Sequence, residues 1–184
     1  MTQKAFLFAL KAHANQKRKD GSEYITHPVA VALELAKNGA DDILISAGFL
    51  HDVIEDTDVT PEQLAENFPK EVVELVLADS EDTSKSWEER KTTDIENIRN
   101  TKDERLKLLM CADKLSNLKT LVEMLENNPS ENVWANFKRP KEKQKWFYES
   151  MCDALSSLDG YKVYDELKKY IQIVFGEDEK RSEL

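Results

Sequence analysis

Apolar residues recur along this chain at spacings of three and four, the period that gathers them on one face of a helix. Phe6, Leu7, Phe8, Ala9, Leu10 and Ala12 set that pattern within residues 2–17, and Lys17-Arg18-Lys19-Asp20-Gly21 breaks it. Tyr24-Ile25-Thr26-His27-Pro28 then reads as a helix start, because the first helical position has no use for the amide hydrogen that proline lacks. Val29, Val31, Ala32, Leu33, Leu35 and Ala36 supply its apolar face and Gly39 its terminal cap. A third helix, capped by Asp41 or Asp42, carries Ile43, Leu44, Ile45, Ala47, Phe49 and Leu50, and is expected to continue unbroken through His51-Asp52-Val53-Ile54-Glu55-Asp56.

Thr60-Pro61-Glu62-Gln63 and Ser86-Trp87-Glu88-Glu89 are capping boxes, each predicting a helix behind it. Between them, Lys70 to Ala78 forms a helix with Val72, Val73, Leu75, Val76 and Leu77 on its core side, followed by a polar loop at Ser80 to Ser84. The longest pattern runs from Asp103 to about Glu126, with Asp113, Ser116, Asn117 and Thr120 as a polar seam along one side. Two further helices are expected, Pro140 to Leu158 capped at Gly160, and one carrying Tyr164, Leu167, Tyr170, Ile171 and Val174.

With five glycines, five prolines and no sustained alternating stretch, the fold class is all-α. The 184 residues suit one domain over 1–176, with a core over about 1–126, a C-terminal helical extension over about 130–176 and a frayed charged tail at 177–184. No long apolar run and no leader pattern occurs, so the expectation is a cytoplasmic protein without a membrane span. Cys111 and Cys152 stand at no metal-ligand spacing and read as buried thiols. A formal charge of −10 argues against a nucleic-acid partner, which needs a basic field, and leaves a small anion held by a local basic patch. Oligomeric state is not written in the pattern.

The chemistry gathers around residues 50–57. On a continuous helix His51 shares a face with Glu55, and Asp52 with Asp56, in the middle of apolar neighbours. Such charge is costly there unless a cation or a substrate uses it. His27 at a helix start reads alone as a cap or a core residue, but beside a His-Asp pair it reads as a ligand. His27, His51, Asp52 and Asp113 then make a set of imidazoles and carboxylates without thiolate, suited to one divalent ion of the hardness of manganese. Glu55 and Asp56 are left to orient and deprotonate a water that the ion acidifies, for attack on a phosphorus ester. Arg18, Lys19, Arg90, Lys91 and Lys114 are candidates to neutralise substrate phosphates. Arg18 and Lys19 belong to a run that reads equally as a solvated helix exit, and Arg90-Lys91 reads equally as an exposed pair.

His27-Pro28, Leu50-His51-Asp52-Val53-Ile54-Glu55-Asp56-Thr57 and Ala112-Asp113-Lys114-Leu115-Ser116-Asn117-Leu118 together resemble the signatures of HD-domain hydrolases of the RelA/SpoT type. His13 to Lys19, Tyr24-Ile25 and Trp87 to Lys91 extend the likeness, which spans about residues 5–122. The resemblance implies an HD-domain helical bundle that binds one manganese ion through His27, His51, Asp52 and Asp113, with Glu55 and Asp56 activating the water. It implies removal of 3′-pyrophosphate from guanosine tetra- or pentaphosphate, the stringent-response alarmones, with Arg18, Lys19 and Asn117 around the nucleotide. The length implies a stand-alone small alarmone hydrolase. Asn15 stands where many relatives have glycine, Lys119 where many have arginine, and Leu77 to Asp82 replaces a usual valine-threonine ending. These departures keep open an adenosine alarmone or another nucleotide as substrate, and a non-catalytic nucleotide sensor as the reading from another class.

Overall fold

The computed structural model describes residues 1–127 and 133–176. The expected tail at 177–184 and the turn at 128–130 lie outside the described residues. The regular structure is helical, and among the described residues only an isolated bridge between Lys17 and Glu23 has β pairing. The helices are α1 (Thr2–Ala12), α2 (Thr26–Lys37), α3 (Asp42–Leu50), α4 (Val53–Asp56), α5 (Pro61–Asn67), α6 (Lys70–Asp79), α7 (Trp87–Asn100), α8 (Glu104–Asn127), α9 (Lys141–Ala154) and α10 (Lys162–Phe175). Short 3-10 turns at Val133–Asn136 and Ser156–Leu158 flank α9.

Polar side chains start several of these helices by satisfying amides that have no partner within the helix. Asp41 accepts from the Leu44 amide, and both capping boxes form, Thr60 with Gln63 and Ser86 with Glu89. Helix α8 is the central post, packed by α2, α3, α6 and α10, while α9 covers α7. Leu109, Leu115 and Leu118 are fully buried on α8, each stabilising the fold by roughly 1.5–3 kcal/mol through burial.

Four expectations change on inspection. Helix α1 stops at Ala12, because His13 turns out of helical geometry at φ −89° and ψ 14° and Asn15 adopts φ +67°. That left-handed conformation favours glycine, and asparagine tolerates it best among the rest. Leu77 is 41% exposed instead of facing the core. The helix expected from Pro140 to Leu158 ends at Ala154 and passes through the 3-10 turn to Gly160, at φ +92°. The fourth change matters most for function: the run through residues 42–56 is not one helix. Helix α3 ends at Leu50, and Asp52, at φ −90° and ψ −6°, separates it from α4. The His51 ring takes the Gly48 carbonyl at 2.9 Å, the oxygen that the Asp52 amide would use in a continuous helix.

Gly48 also sets how near α3 comes to α2. A Cβ there would lie 2.7 Å from Leu35 Cδ1 and 3.3 Å from the Ala32 Cα. A side chain there would require Leu35 to shift and the two helices to part by a few tenths of an ångström.

Candidate active site

Two helices and one interhelical turn deliver four side chains to one point. His27 comes from the first turn of α2, His51 and Asp52 from the break between α3 and α4, and Asp113 from the middle of α8. One donor atom each of His27, His51 and Asp113 lies within 4.8 Å of the others. Asp52 Oδ2 sits 3.1 Å from His51 Nε2 and 3.5 Å from His27 Nε2, and Asp113 Oδ1 is 3.0 Å from His27 Nε2.

The outer nitrogens of both rings are already engaged, His51 Nδ1 donating to the Gly48 carbonyl and His27 Nδ1 hydrogen-bonded to Ser116 Oγ at 3.1 Å. Both Nε2 atoms are thereby aimed at each other, 3.2 Å apart. Two imidazole lone pairs and two carboxylates facing one another repel unless a cation sits among them, so this donor set fits a divalent metal ion. With protons as the only cations the pair divides unequally. Burial lowers His27; on His51 it is outweighed by Asp52 and Asp113, which hold the ring up at about 10.

Around this centre the polar seam of α8 is fully used. Asn117 donates to Asp113 Oδ1 at 2.7 Å and accepts from Arg18 at 3.0 Å, while Lys114 donates to Asp113 Oδ2 at 2.5 Å. Burial opposes charge on Lys114, yet Asp113 and Asp79 raise it well above its ordinary value. Tyr24, absent from the sequence-derived site, donates its hydroxyl toward Asp52 at 2.8 Å and Asp56 at 2.5 Å. Its ring stacks on buried His13 with centroids 4.6 Å apart.

Glu55 faces the other way, toward the loop after α6. Burial, reinforced by the nearby Glu81 carboxylate, raises it to about 7, a suitable range for a general base. Burial raises Asp56 too, against the Tyr24 hydrogen bond. Asp79, at the end of α6, is pushed by burial to about 7 and keeps one oxygen buried without a hydrogen-bond partner.

The metal-type cluster opens into a cleft of two joined cavities, about 170 and 520 Å³, that share Arg18, Tyr24, Lys91, Lys114 and Asn117 in their walls. The inner cavity is carboxylate-rich. The outer one is cationic and aromatic, with Lys19, Lys138, Trp87, Phe137, Phe147 and Tyr148. Lys19 lies 3.8 Å from the Phe137 ring centroid.

Of the cations singled out in the sequence, Arg18, Lys19, Lys91 and Lys114 line this cleft, whereas Arg90 stands behind it, bound to Glu81 at 2.6 Å and Glu55 at 3.4 Å. Sequence reasoning missed Tyr24, Asp79, Glu81 and the α9 wall of Phe147 and Tyr148. The signals were weak: Tyr24 precedes the first histidine motif, and the α9 aromatics look like ordinary core. Both cysteines are free, Cys111 buried and Cys152 half-buried. Among the described residues no helix is long and apolar enough to cross a membrane.

The family model described as HD domain matches residues 5–140. A probable guanosine-3′,5′-bis(diphosphate) 3′-pyrophosphohydrolase of Synechocystis is 42% identical over 123 residues, 64% of this chain and 16% of that protein. The bifunctional (p)ppGpp synthase/hydrolase SpoT of Escherichia coli K12 is 40% identical over 122 residues, 64% of this chain and 17% of its own. The likeness therefore reaches only a small part of these curated relatives. Two solved structures are matched nearly end to end. The protein lmo0812 of Listeria monocytogenes EGD-e has TM-score 0.76 and 33% identity, covering 82% of this chain and 99% of that one. A metazoan ortholog of SpoT that hydrolyzes ppGpp has TM-score 0.81 and 25% identity, covering 96% of each chain.

Proposed function

The chain belongs to the HD domain family, and from that premise we propose that it is a divalent-metal-dependent phosphohydrolase releasing 3′-pyrophosphate from a nucleoside bis-diphosphate alarmone, the guanosine form first. The observation that carries this reading is one arrangement. Four donor groups converge on a point, a carboxylate outside that set, Glu55, is raised to about 7, and the same cavity opens into a cationic, aromatic cleft. The curated relatives that match the chain carry the name of this reaction, and the metazoan neighbour is described as hydrolysing ppGpp.

His27, His51, Asp52 and Asp113 would hold the ion, and their nitrogen and oxygen donors favour manganese over a thiolate-preferring metal. When bound, such an ion polarises a phosphoryl oxygen and makes water more acidic. Glu55, neutral below about 7 and charged above it, receives the proton of the attacking water. Asp56 is fixed by Tyr24 and lies on the exposed side of the pair, where it orients that water. Arg18, Lys19 and Lys114 carry the cations that meet the phosphates, while Lys91, also in the cleft wall, is paired with Glu81. Trp87, Phe147 and Tyr148 offer flat apolar surfaces to a purine, with which either guanine or adenine can stack.

The test is pyrophosphate release by the manganese-loaded protein from guanosine tetraphosphate and its adenosine counterpart, with GTP and nucleoside monophosphates as controls. Selective 3′ release from one alarmone is the expected result and fixes the base preference. Silence on both, in protein shown to hold its metal, refutes the assignment.

A further inference from the structure

Glu81 is the residue of this cleft for which the proposed reaction has no use. It lies just beyond α6, in the segment that departs from the usual valine-threonine ending, yet its side chain is only 8% exposed. One carboxylate oxygen accepts from Arg90 Nη1 at 2.6 Å and the other from Lys91 Nζ. Its backbone amide meets Glu55 Oε2 at 3.3 Å. Burial opposes its charge, but Lys91 keeps the carboxyl below its ordinary value.

A carboxylate with each oxygen on a separate cation occupies the position that two oxygens of a phosphate would take between the same groups. Two further observations mark the seat as fit for a larger anion. Arg90 Nε is buried with no hydrogen-bond partner, so the guanidinium keeps an unused donor. Lys91 belongs to the walls of both cavities, so the seat opens on the cleft.

We propose that Glu81 is a specificity-determining residue: it fills an anion seat made by Arg90 and Lys91, and so withholds those two cations from phosphate groups entering the cleft. Phosphate binding then falls to Arg18, Lys19 and Lys114, and the inner cavity admits an anion only where the metal-type cluster holds it. The inference rests on the proposed function only in taking the cleft to bind phosphate.

The substitution Glu81→Gln tests it. The amide keeps the size of the side chain but offers one acceptor oxygen in place of two and no charge, so one of the two cations loses its partner. Orthophosphate is titrated by calorimetry into wild type and variant, both holding their divalent ion at equal occupancy. E81Q is expected to bind orthophosphate about three- to tenfold more tightly, the scale of one exposed charge-assisted contact. The gain should vanish in the double variant E81Q/K91M. Equal or weaker binding by a folded E81Q overturns the proposal, and so does a gain that survives loss of Lys91. If E81Q fails to fold, Glu81→Asp replaces it in the same comparison, because a carboxylate one methylene shorter cannot span both cations. A wild type that binds orthophosphate but cleaves no alarmone refutes the proposed reaction and leaves this comparison standing.

Discussion

Replacing Asp79 by asparagine should stabilise the metal-free protein, and only where the pH is high enough to charge the carboxylate. Asp79 ends α6 with one oxygen buried and unpartnered, and burial raises its carboxyl from 3.8 to about 7 against the pull of His51. In the unfolded chain the group ionises above its ordinary value; in the native protein it does so only above about 7. Between those limits the unfolded state alone gains from ionisation, so stability falls as pH rises, by about 1.4 kcal/mol per pH unit. Over a window roughly three units wide the ceiling is about 4 kcal/mol, and water entering the cavity reduces it to an expected 1–3 kcal/mol or about that.

Asparagine keeps the shape and never ionises. The difference in unfolding free energy should be near zero at about pH 4 and reach about 1–3 kcal/mol at about pH 8. Urea denaturation followed by circular dichroism, in chelator, measures it at both ends of the window. A variant no more stable than wild type at the alkaline end, or equally favoured at both ends, refutes the reasoning.

The remaining predictions concern the site and one cap. Asp113→Ala should lose bound metal and activity together, whereas Glu55→Gln should keep its metal and lose about 10²–10⁴-fold in rate, the usual share of a general base; metal analysis beside pyrophosphate release decides, and metal loss from the Glu55 variant contradicts the division of roles. Tyr24→Phe keeps the stack on His13 but frees Asp52 and Asp56, so kcat should fall about tenfold with KM little changed, and an unchanged kcat refutes it. Ser86→Ala removes one half of the α7 capping box and should cost about 1 kcal/mol, lowering Tm by about 2–4 °C; an unmoved melting curve counts against the cap.

Much of the fold was legible because each long helix carries its own three- and four-residue apolar repeat, and capping boxes mark two starts. The four residues that converge were legible for a different reason: His51 and Asp52 stand side by side among apolar neighbours, and beside that pair His27 and Asp113 read as ligands too. The break after Leu50 was hidden, since it depends on a ring nitrogen taking a carbonyl three residues back, a choice that no periodicity records. Arg90 and Lys91 looked available because their partner, Glu81, is separated from them by a loop, and pairing across a loop is a tertiary fact. Phe147 and Tyr148 have the spacing of core residues, and only the packing of α9 on α7 turns them toward the cleft.

Gly48 gives the two histidines a mechanical relation that neither motif contains. His27 rides on α2 and His51 follows α3, so the gap between their nitrogens, 3.2 Å, is set by how deeply the two helices nest, and the missing side chain of Gly48 sets the nesting. A methyl group at that position would act as a shim. It would spread the jaws of the site without itself contacting the ion, and the size of ion that fits would change through a residue buried in the crossing of the two helices.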